Sequence, residues 1–416
     1  QVFDPQTLSK MQGDFAIGHT RYSTTGSPTA RNAQPFMIDT QYGTLALAHN
    51  GNLLNAADLR SKLLHQGVGL SSTSDTEVMV MTLACSRGGT WFERLRDAIQ
   101  NWVGAYSMVM LTRNQVFAVR DPWGFRPLSV GMLPNGGGHV AASEYGALRT
   151  LGCEVCREVK PGEIVSLSDN ALTVCQALQP QPRSALCTFE HIYFSRPDNT
   201  WGGKNVHHVR QQLGANLASE QPVEADVVIP IPDSSIPAAI GYATASGIPY
   251  NDGFIKNRYI GRTFIEPTDS LRKQGVALKY NVIMENVLNK RVVMVDDSIV
   301  RGNTTGPLIQ LLKNAGAREV HVRITCPPIL HPCFMGVDMG SYDELIAANR
   351  SIPQMCAEFG ADSLAYLSLD KMMAAIGSDH GYCNACFTGQ YPLPVPEGIT
   401  KTGFEIPLEI DQGARP

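Results

Sequence analysis

Two adjacent aspartates, Asp296 and Asp297, end an unbroken apolar run in the segment RVVMVDDSIVRGNTTG, residues 291–306. Just downstream, Gly302-Asn303-Thr304-Thr305-Gly306 opens an amphipathic stretch, PLIQLLKNAGA, with a glycine near its end. A loop of small residues entering a helix presents free backbone N–H groups at the positive end of the helix dipole, which suits phosphate. Carboxylates repel phosphate, so something positive or hydroxylated must stand between the acids and the cradle. A ribose diol, a Mg²⁺ ion or positive charge developing on a sugar would each serve. A bare strand–turn–helix with an acidic cap region explains the tandem acids less well.

Cysteines raise a second question. The chain has ten of them without a secretory signal pattern, which argues against a disulfide framework. Cys153–Cys156 and Cys383–Cys386 have C-x-x-C spacing, and the two pairs together suggest a tetrathiolate zinc site. Zinc pairs usually lie about 15–20 residues apart, however, and these fall on opposite sides of a polar, Pro-containing stretch, 176–184, that reads as a linker.

The elements that must position these groups change character along the chain. Before the linker, short apolar or alternating runs recur at 43–51, 105–111, 115–121 and 162–168, with helical patterns at 56–67 and 74–89. Strands in runs with helices grouped between them predict an α+β layered domain. Beyond the linker, ADVVIPIP, RVVMVDD and EVHVRIT alternate with helical stretches, which predicts a parallel sheet covered by helices. Val292–Val295, apolar without alternation, suits a strand buried on both faces, with the aspartates at its carboxyl end where such sheets place ligands. Residues 256–281 are basic and poorly periodic and read as a lid loop; the Pro- and Gly-rich last 25 or so residues read as a surface tail.

A net charge of −4 favours neither nucleic acid nor an anionic membrane, and no apolar run reaches membrane-spanning length. A cytoplasmic enzyme is the resulting expectation.

In order along the chain stand GHTRYSTTG (18–26), HNGNL (49–53), SDTE (74–77), EHIYFSRPDN (190–199), IPDSS (231–235), KNRYIGRTFI (256–265), VDDSIVRGNTT (295–305), HPCFMGVD (331–338) and YCNACFTGQYP (382–392). By these motifs the sequence closely resembles the glutamine phosphoribosylpyrophosphate amidotransferase family over nearly its whole length. The resemblance implies an αββα N-terminal-nucleophile hydrolase domain (a class II glutamine amidotransferase) over 1–182. It implies an α/β type I phosphoribosyltransferase domain over 183–380, then a tail, 381–416, carrying two cluster cysteines. The implied reaction is the first committed step of purine synthesis: 5-phosphoribosyl 1-pyrophosphate (PRPP), glutamine and water give 5-phosphoribosylamine, glutamate and pyrophosphate.

Residue roles follow from the same resemblance. Arg21 matches the residue that binds the glutamine α-carboxylate, Asp75 the one that receives the α-amino group, and Asn50 and Gly51 the oxyanion hole. Asp296 and Asp297 match the pair that holds the ribose hydroxyls and, with Ser234, contributes to the Mg²⁺ shell. Arg301, Gly302, Asn303, Thr304 and Thr305 match the 5-phosphate loop, and Arg258 and Arg262 the loop that closes over pyrophosphate. Asn303 departs from the family's usual threonine, which implies retained phosphate binding with altered affinity. Cys187, Cys333, Cys383 and Cys386 match the ligands of the branch that carries a [4Fe–4S] cluster. Homotetramers and inhibition by purine nucleotides come with the family.

The family's nucleophile is a cysteine at the start of the mature chain, about fifty residues before the Arg21 motif. This sequence begins Gln1-Val2-Phe3, and its first cysteine, Cys85, lies on a helical stretch and reads as a core residue. An N-terminally truncated sequence able to use only free ammonia is the expectation. Two rivals remain. Another class II amidotransferase would share the GHTR and HNG motifs but lack VDDSIVRG. A PRPP-binding or iron–sulfur regulatory relic would have lost its glutaminase.

Overall fold

The structure, a computed structural model, describes residues 4–21, 25–168, 171–257, 279–339, 341–377, 381–396, 398–399 and 403–404. Two compact units emerge. One comprises 1–186, 334–338 and 393–416; the other comprises 187–333 and 339–392. The stretch read as a linker is tied down: the N–H groups of Ala177 and Leu178 bond the Gly162 carbonyl, and those of Gln181 and Ala185 bond Pro122 and Trp123, all within the first unit.

The first unit is built on an antiparallel sheet of β1 (Phe36–Thr40), β2 (Gly43–Leu53), β3 (Gly104–Leu111), β4 (Val116–Arg120), β8 (Glu163–Ser168) and β9 (Ala171–Gln176), in that spatial order. Between β4 and β8 in sequence, β5 (Ser129–Met132), β6 (His139–Ala142) and β7 (Val155–Glu158) make a smaller sheet with β5 in the middle. Preceding the strands is α1 (Pro5–Lys10), and the main helices are α2 (Ala56–His65), α3 (Asp75–Cys85) and α4 (Trp91–Ile99), with the short α5 (Tyr145–Thr150) in the smaller layer. Leu45, Leu47 and Leu53 of β2 and Met108 and Met110 of β3 pack in one core with Leu59, Leu63, Val78, Met79, Leu83 and Leu95 of the helices. A second core joins Val116, Ala118, Val165 and Leu167 to Leu128 and Val130. The central strands of the large sheet, β2, β3, β4 and β8, are therefore sandwiched, which is why GTLALAHNG and AYSMVML are apolar on both parities. A helix apolar nearly all round, such as α3, must be buried, and its Val78, Met79, Val80 and Leu83 are fully so.

The second unit carries a four-stranded parallel sheet: β10 (Val227–Pro230), β11 (Arg291–Asp296), β12 (Glu319–Ile324) and β13 (Ser363–Tyr366), in that order. Val292–Val295 are completely buried at its centre. Around it lie α6 (Val206–Glu220), α7 (Ile236–Ser246), which follows β10, and α8 (Thr305–Asn314), which follows β11. Among the described residues, no helix is long and apolar enough to cross a membrane.

Candidate functional site

In the second unit the carboxyl ends of β10 and β11 meet. Ser234 and Ser235, on the turn after β10, reach the acids after β11: the Ser234 hydroxyl donates to Asp297 Oδ2 at 2.6 Å and that of Ser235 to Asp296 Oδ1 at 3.1 Å. Ser298 donates to Asp297 Oδ1 at 2.6 Å, and the Asp297 N–H to Asp296 Oδ1 at 2.9 Å. Burial raises both carboxyl pKa values, Asp296 further because its neighbour is also an acid. Two adjacent carboxylates, Asp297 buried and Asp296 partly so, cannot both hold charge cheaply. A divalent cation would remove that conflict, and three hydroxyls beside two carboxylates make an all-oxygen donor set of the kind magnesium prefers.

Beyond the acids, the chain turns through Gly302 at φ +75°. A Cβ there would also stand 2.8–3.0 Å from Ile346 and Phe359, so the turn admits only glycine. Thr304 occupies the N-cap of α8 without its side chain capping the helix. The first N–H groups of α8 thus lack the usual side-chain cap, an arrangement suited to an anion. Arg301 pairs with Glu344 at 2.8 Å at the loop's outer edge, while Thr305 is buried. Lys256, not singled out from sequence although it opens the basic segment, bonds Asp233 of the IPDSS turn at 2.5 Å. Arg258 and Arg262 lie outside the described residues.

The first unit assembles its candidate site from distant segments. Arg21 donates to the carbonyls of Thr25, Gly26 and Ser27 at 2.8–3.3 Å, closing its own loop around the guanidinium. Burial lowers its pKa and the nearby Asp75 carboxylate raises it, which places the two in one electrostatic field. Asp75, only 2% exposed at the start of α3, accepts the Leu53 N–H at 3.1 Å and stands 3.6 Å from His49 Nε2. His19 is pushed down to about 4 by burial, then by His49 and Arg21, so it is neutral at neutral pH. The pocket therefore offers one fixed cation, Arg21, and one buried acid, Asp75. That is a match for the two charged ends of an amino acid.

Asn50 and Gly51 lie late in β2, opposite Ser107 and Tyr106 of β3. Gly51 has φ +151°, and a Cβ there would lie 1.9 Å from the Ala105 carbonyl oxygen. Asn52 links two remote segments: its Oδ1 accepts the Thr25 hydroxyl, and its Nδ2 donates to the Phe334 carbonyl at 3.0 Å. Two residues on, Gly336 lies so close to Gly51 that a Cβ would approach its Cα to 2.7 Å. His49 was not assigned a role from sequence although HNGNL contains it; its ring bonds Thr76 at 2.9 Å. Glu77 closes the loop before α3. Burial opposes its charge, but four hydrogen bonds of 2.6–2.7 Å from Ser72 and Ser71 hold its pKa down.

All ten cysteines are free thiols, and Cys85, read from the sequence as a core residue, is instead exposed at the end of α3. Cys187, Cys333, Cys383 and Cys386 share the second unit. Thr188 donates from its N–H and hydroxyl to the Cys383 carbonyl at 3.2 and 3.1 Å, and the Cys386 carbonyl accepts from Leu330 and His331 at 2.9 and 3.0 Å. Burial raises the Cys386 thiol strongly, and the Cys187, Cys333 and Cys383 thiols add to it; burial lifts Cys383 to about 12. The buried Cys386 thiol thus feels the other three sulfurs, which are themselves partly exposed. Among the described residues, no three His, Cys, Asp or Glu side chains are grouped to hold a single metal ion. A multi-iron cluster spreads its thiolates over several irons and needs no such close grouping, so the donor set fits a cluster.

Comparison with known proteins agrees with this geometry. The family model of the glutamine amidotransferase domain matches residues 19–150. The amidophosphoribosyltransferase of Archaeoglobus fulgidus is 47% identical over 95% of this chain and 87% of its own length; that of Synechococcus elongatus is 45% identical over 97% and 82%. Among solved structures, the Bacillus subtilis glutamine PRPP amidotransferase complexed with ADP and GMP matches with a TM-score of 0.87 at 45% identity, covering 95% of this chain and 87% of that one. With sheet, acids and anion loop in one unit and a paired cation and acid in the other, similarity of that extent has one meaning. This chain belongs to the amidophosphoribosyltransferases, which use Mg²⁺ and replace the pyrophosphate of PRPP with the amide nitrogen of glutamine at the first committed step of purine biosynthesis.

Proposed function

We propose that the two sites divide the reaction as follows. In the second unit, the α8 N-terminus with Gly302, Asn303, Thr304 and Thr305 receives the 5-phosphate, with Arg301 at the rim. Asp296 and Asp297 accept the ribose hydroxyls and, with Ser234, hold Mg²⁺, which supplies charge neutralisation for the departing pyrophosphate. As the bond to pyrophosphate lengthens, the two carboxylates face the positive charge growing on the sugar carbon. Arg258 and Arg262, outside the described residues, supply positive charge for the leaving group.

In the first unit, Arg21 takes the α-carboxylate of glutamine in a two-pronged bond, and Asp75 takes the α-ammonium. Asn50 and the Gly51 N–H stabilise the oxyanion when the side-chain amide is attacked. Cys187, Cys333, Cys383 and Cys386 hold a [4Fe–4S] cluster that ties the 381–392 segment to the second unit. Purine nucleotides act as feedback inhibitors, a reading supported by the ADP and GMP in the B. subtilis structure. The protein works as a cytoplasmic homotetramer.

The observation that carries this reading is the adjacent acid pair, hydroxyl-bonded across two strand ends and set before the uncapped α8. The test is pyrophosphate release from PRPP and Mg²⁺ by the full-length protein, with ammonium and with glutamine. Asp297→Asn should cut release about 10²–10³-fold with both nitrogen sources, and Arg21→Lys should impair only the glutamine reaction. Equal loss of both in Arg21→Lys would overturn the division. For the cluster, an anaerobic preparation should be brown and contain about four irons per chain; a colourless one with stoichiometric zinc would refute it.

A further inference from the structure

Cys153 and Cys156 take no part in either site, yet they are a fixed pair. The Cys153 N–H bonds the Leu148 carbonyl of α5 at 3.0 Å, and the Glu154 N–H bonds the Met132 carbonyl of β5 at 3.0 Å. Cys156 lies on β7 opposite Gly131. Main-chain bonds thus hold the turn between them on both sides. Within it the two residues converge: the Cys156 thiol donates to the Cys153 carbonyl at 3.7 Å, and burial, then the neighbouring Cys156, raises the Cys153 pKa. Both residues are partly exposed, unlike the buried Cys386. Among the described residues no third His, Cys, Asp or Glu joins them in a metal-holding group.

Two converging, solvent-reachable thiols without a third ligand make a two-electron couple and not a metal site. We propose that Cys153 and Cys156 form a reversible dithiol–disulfide site that exchanges with small-molecule or protein disulfides. One thiol gives its proton to solvent and attacks a sulfur of the incoming disulfide. A mixed disulfide forms and the first partner thiolate leaves. The second thiol, after losing its proton, displaces the other partner thiolate and closes the Cys153–Cys156 bond. The two protons end on the leaving thiolates, so two protein thiols are oxidised to one disulfide and one external disulfide is reduced to two thiols. Closing so short a loop removes little freedom from the unfolded chain, so the bond acts as a reducible couple and not as a structural staple.

The test uses the full-length protein equilibrated anaerobically with oxidised glutathione, followed by alkylation of remaining thiols and peptide mass spectrometry. The peptide bearing both cysteines should lose two hydrogens, carry no label and hold no glutathione. Added dithiothreitol should restore two labelled thiols. Cys153→Ser and Cys156→Ser should each trap glutathione on the surviving cysteine, while ammonium-dependent pyrophosphate release shows that both variants fold. If both cysteines are labelled at the rate of the isolated Cys85, or each carries glutathione separately in the unmutated protein, the proposal fails.

Discussion

The two sites are built by opposite strategies. In the second unit both acids and the whole phosphate loop fall within Asp296–Thr305, one strand end, one turn and one helix start, joined by Ser234 from the neighbouring strand. In the first unit the groups come from Arg21 on a loop, Asn50 and Gly51 on β2, Asp75 on α3, and a carbonyl at Phe334. The contiguous site has its geometry set by local backbone, so a lost side chain removes a chemical group and little else. The dispersed site depends on how far-apart segments are pressed together. Changes that leave every reactive side chain in place can therefore still disable it.

Substitutions can break this contrast in a graded way. The largest effect belongs to Asp297→Asn: pyrophosphate release should fall by about 10²–10³-fold with ammonium and glutamine alike, as when one transition-state charge contact is lost. An Arg21→Lys change should raise the KM for glutamine about 10–100-fold, the equivalent of about 1.5–3 kcal/mol in a charged hydrogen bond, with ammonium-dependent kinetics unaltered. Steady-state kinetics with each nitrogen source separates the two outcomes.

Gly336→Ala adds no polar group and removes none, yet its Cβ would press on Gly51 at 2.7 Å from a residue whose φ is +94°. Glutamine hydrolysis should drop about tenfold, the effect of about 1–2 kcal/mol of strain, and ammonium use should persist. Undiminished hydrolysis would show that the dispersed site tolerates displacement and would erase the contrast.

The smallest effect is on stability and has the opposite sign to the effect on activity. Because burial, then Asp297, raises the Asp296 pKa, the pair's contribution to folding is present at acid pH and lost as pH rises through the raised value. Without Mg²⁺, Asp296→Asn should therefore melt higher than the unmutated protein at pH 7, by about 2–4 °C per kcal/mol regained, with the difference vanishing near pH 4. A lower Tm at pH 7 would mean that the acids are not in conflict.

This contrast also governs what could be read from sequence. The tandem acids and the glycine loop were legible because strand, turn and helix follow one another in the chain, and their chemistry needs no distant partner. The runs at 43–51 and 162–168 were legible as strands, but the edge strands that pair with them, β1 and β9, were not: β1 is FMIDT and β9 is ALTVCQ, both short and half-exposed. The capping box Thr90–Glu93 that starts α4 was a readable signal left unused. Nothing in HNGNL announces that the Asn52 amide meets Phe334, because no local pattern encodes a contact 282 residues away. His49, likewise, gains its acid neighbour only when α3 packs on β2. The pairing of Cys153 with Cys156 was visible as spacing alone, and spacing did not distinguish a metal ligand from a redox pair.

The Asn52–Phe334 bond has a consequence in time. A ribosome adds about 5–20 residues per second, so roughly 14–56 s pass between the synthesis of Asn52 and that of the carbonyl it bonds, 282 residues later. Throughout that interval a nascent first unit lacks the segment that lies against Gly51. The first unit, begun first, thus receives this segment only after β10, β11 and β12 have all been translated, so it cannot be finished ahead of the central strands of the second.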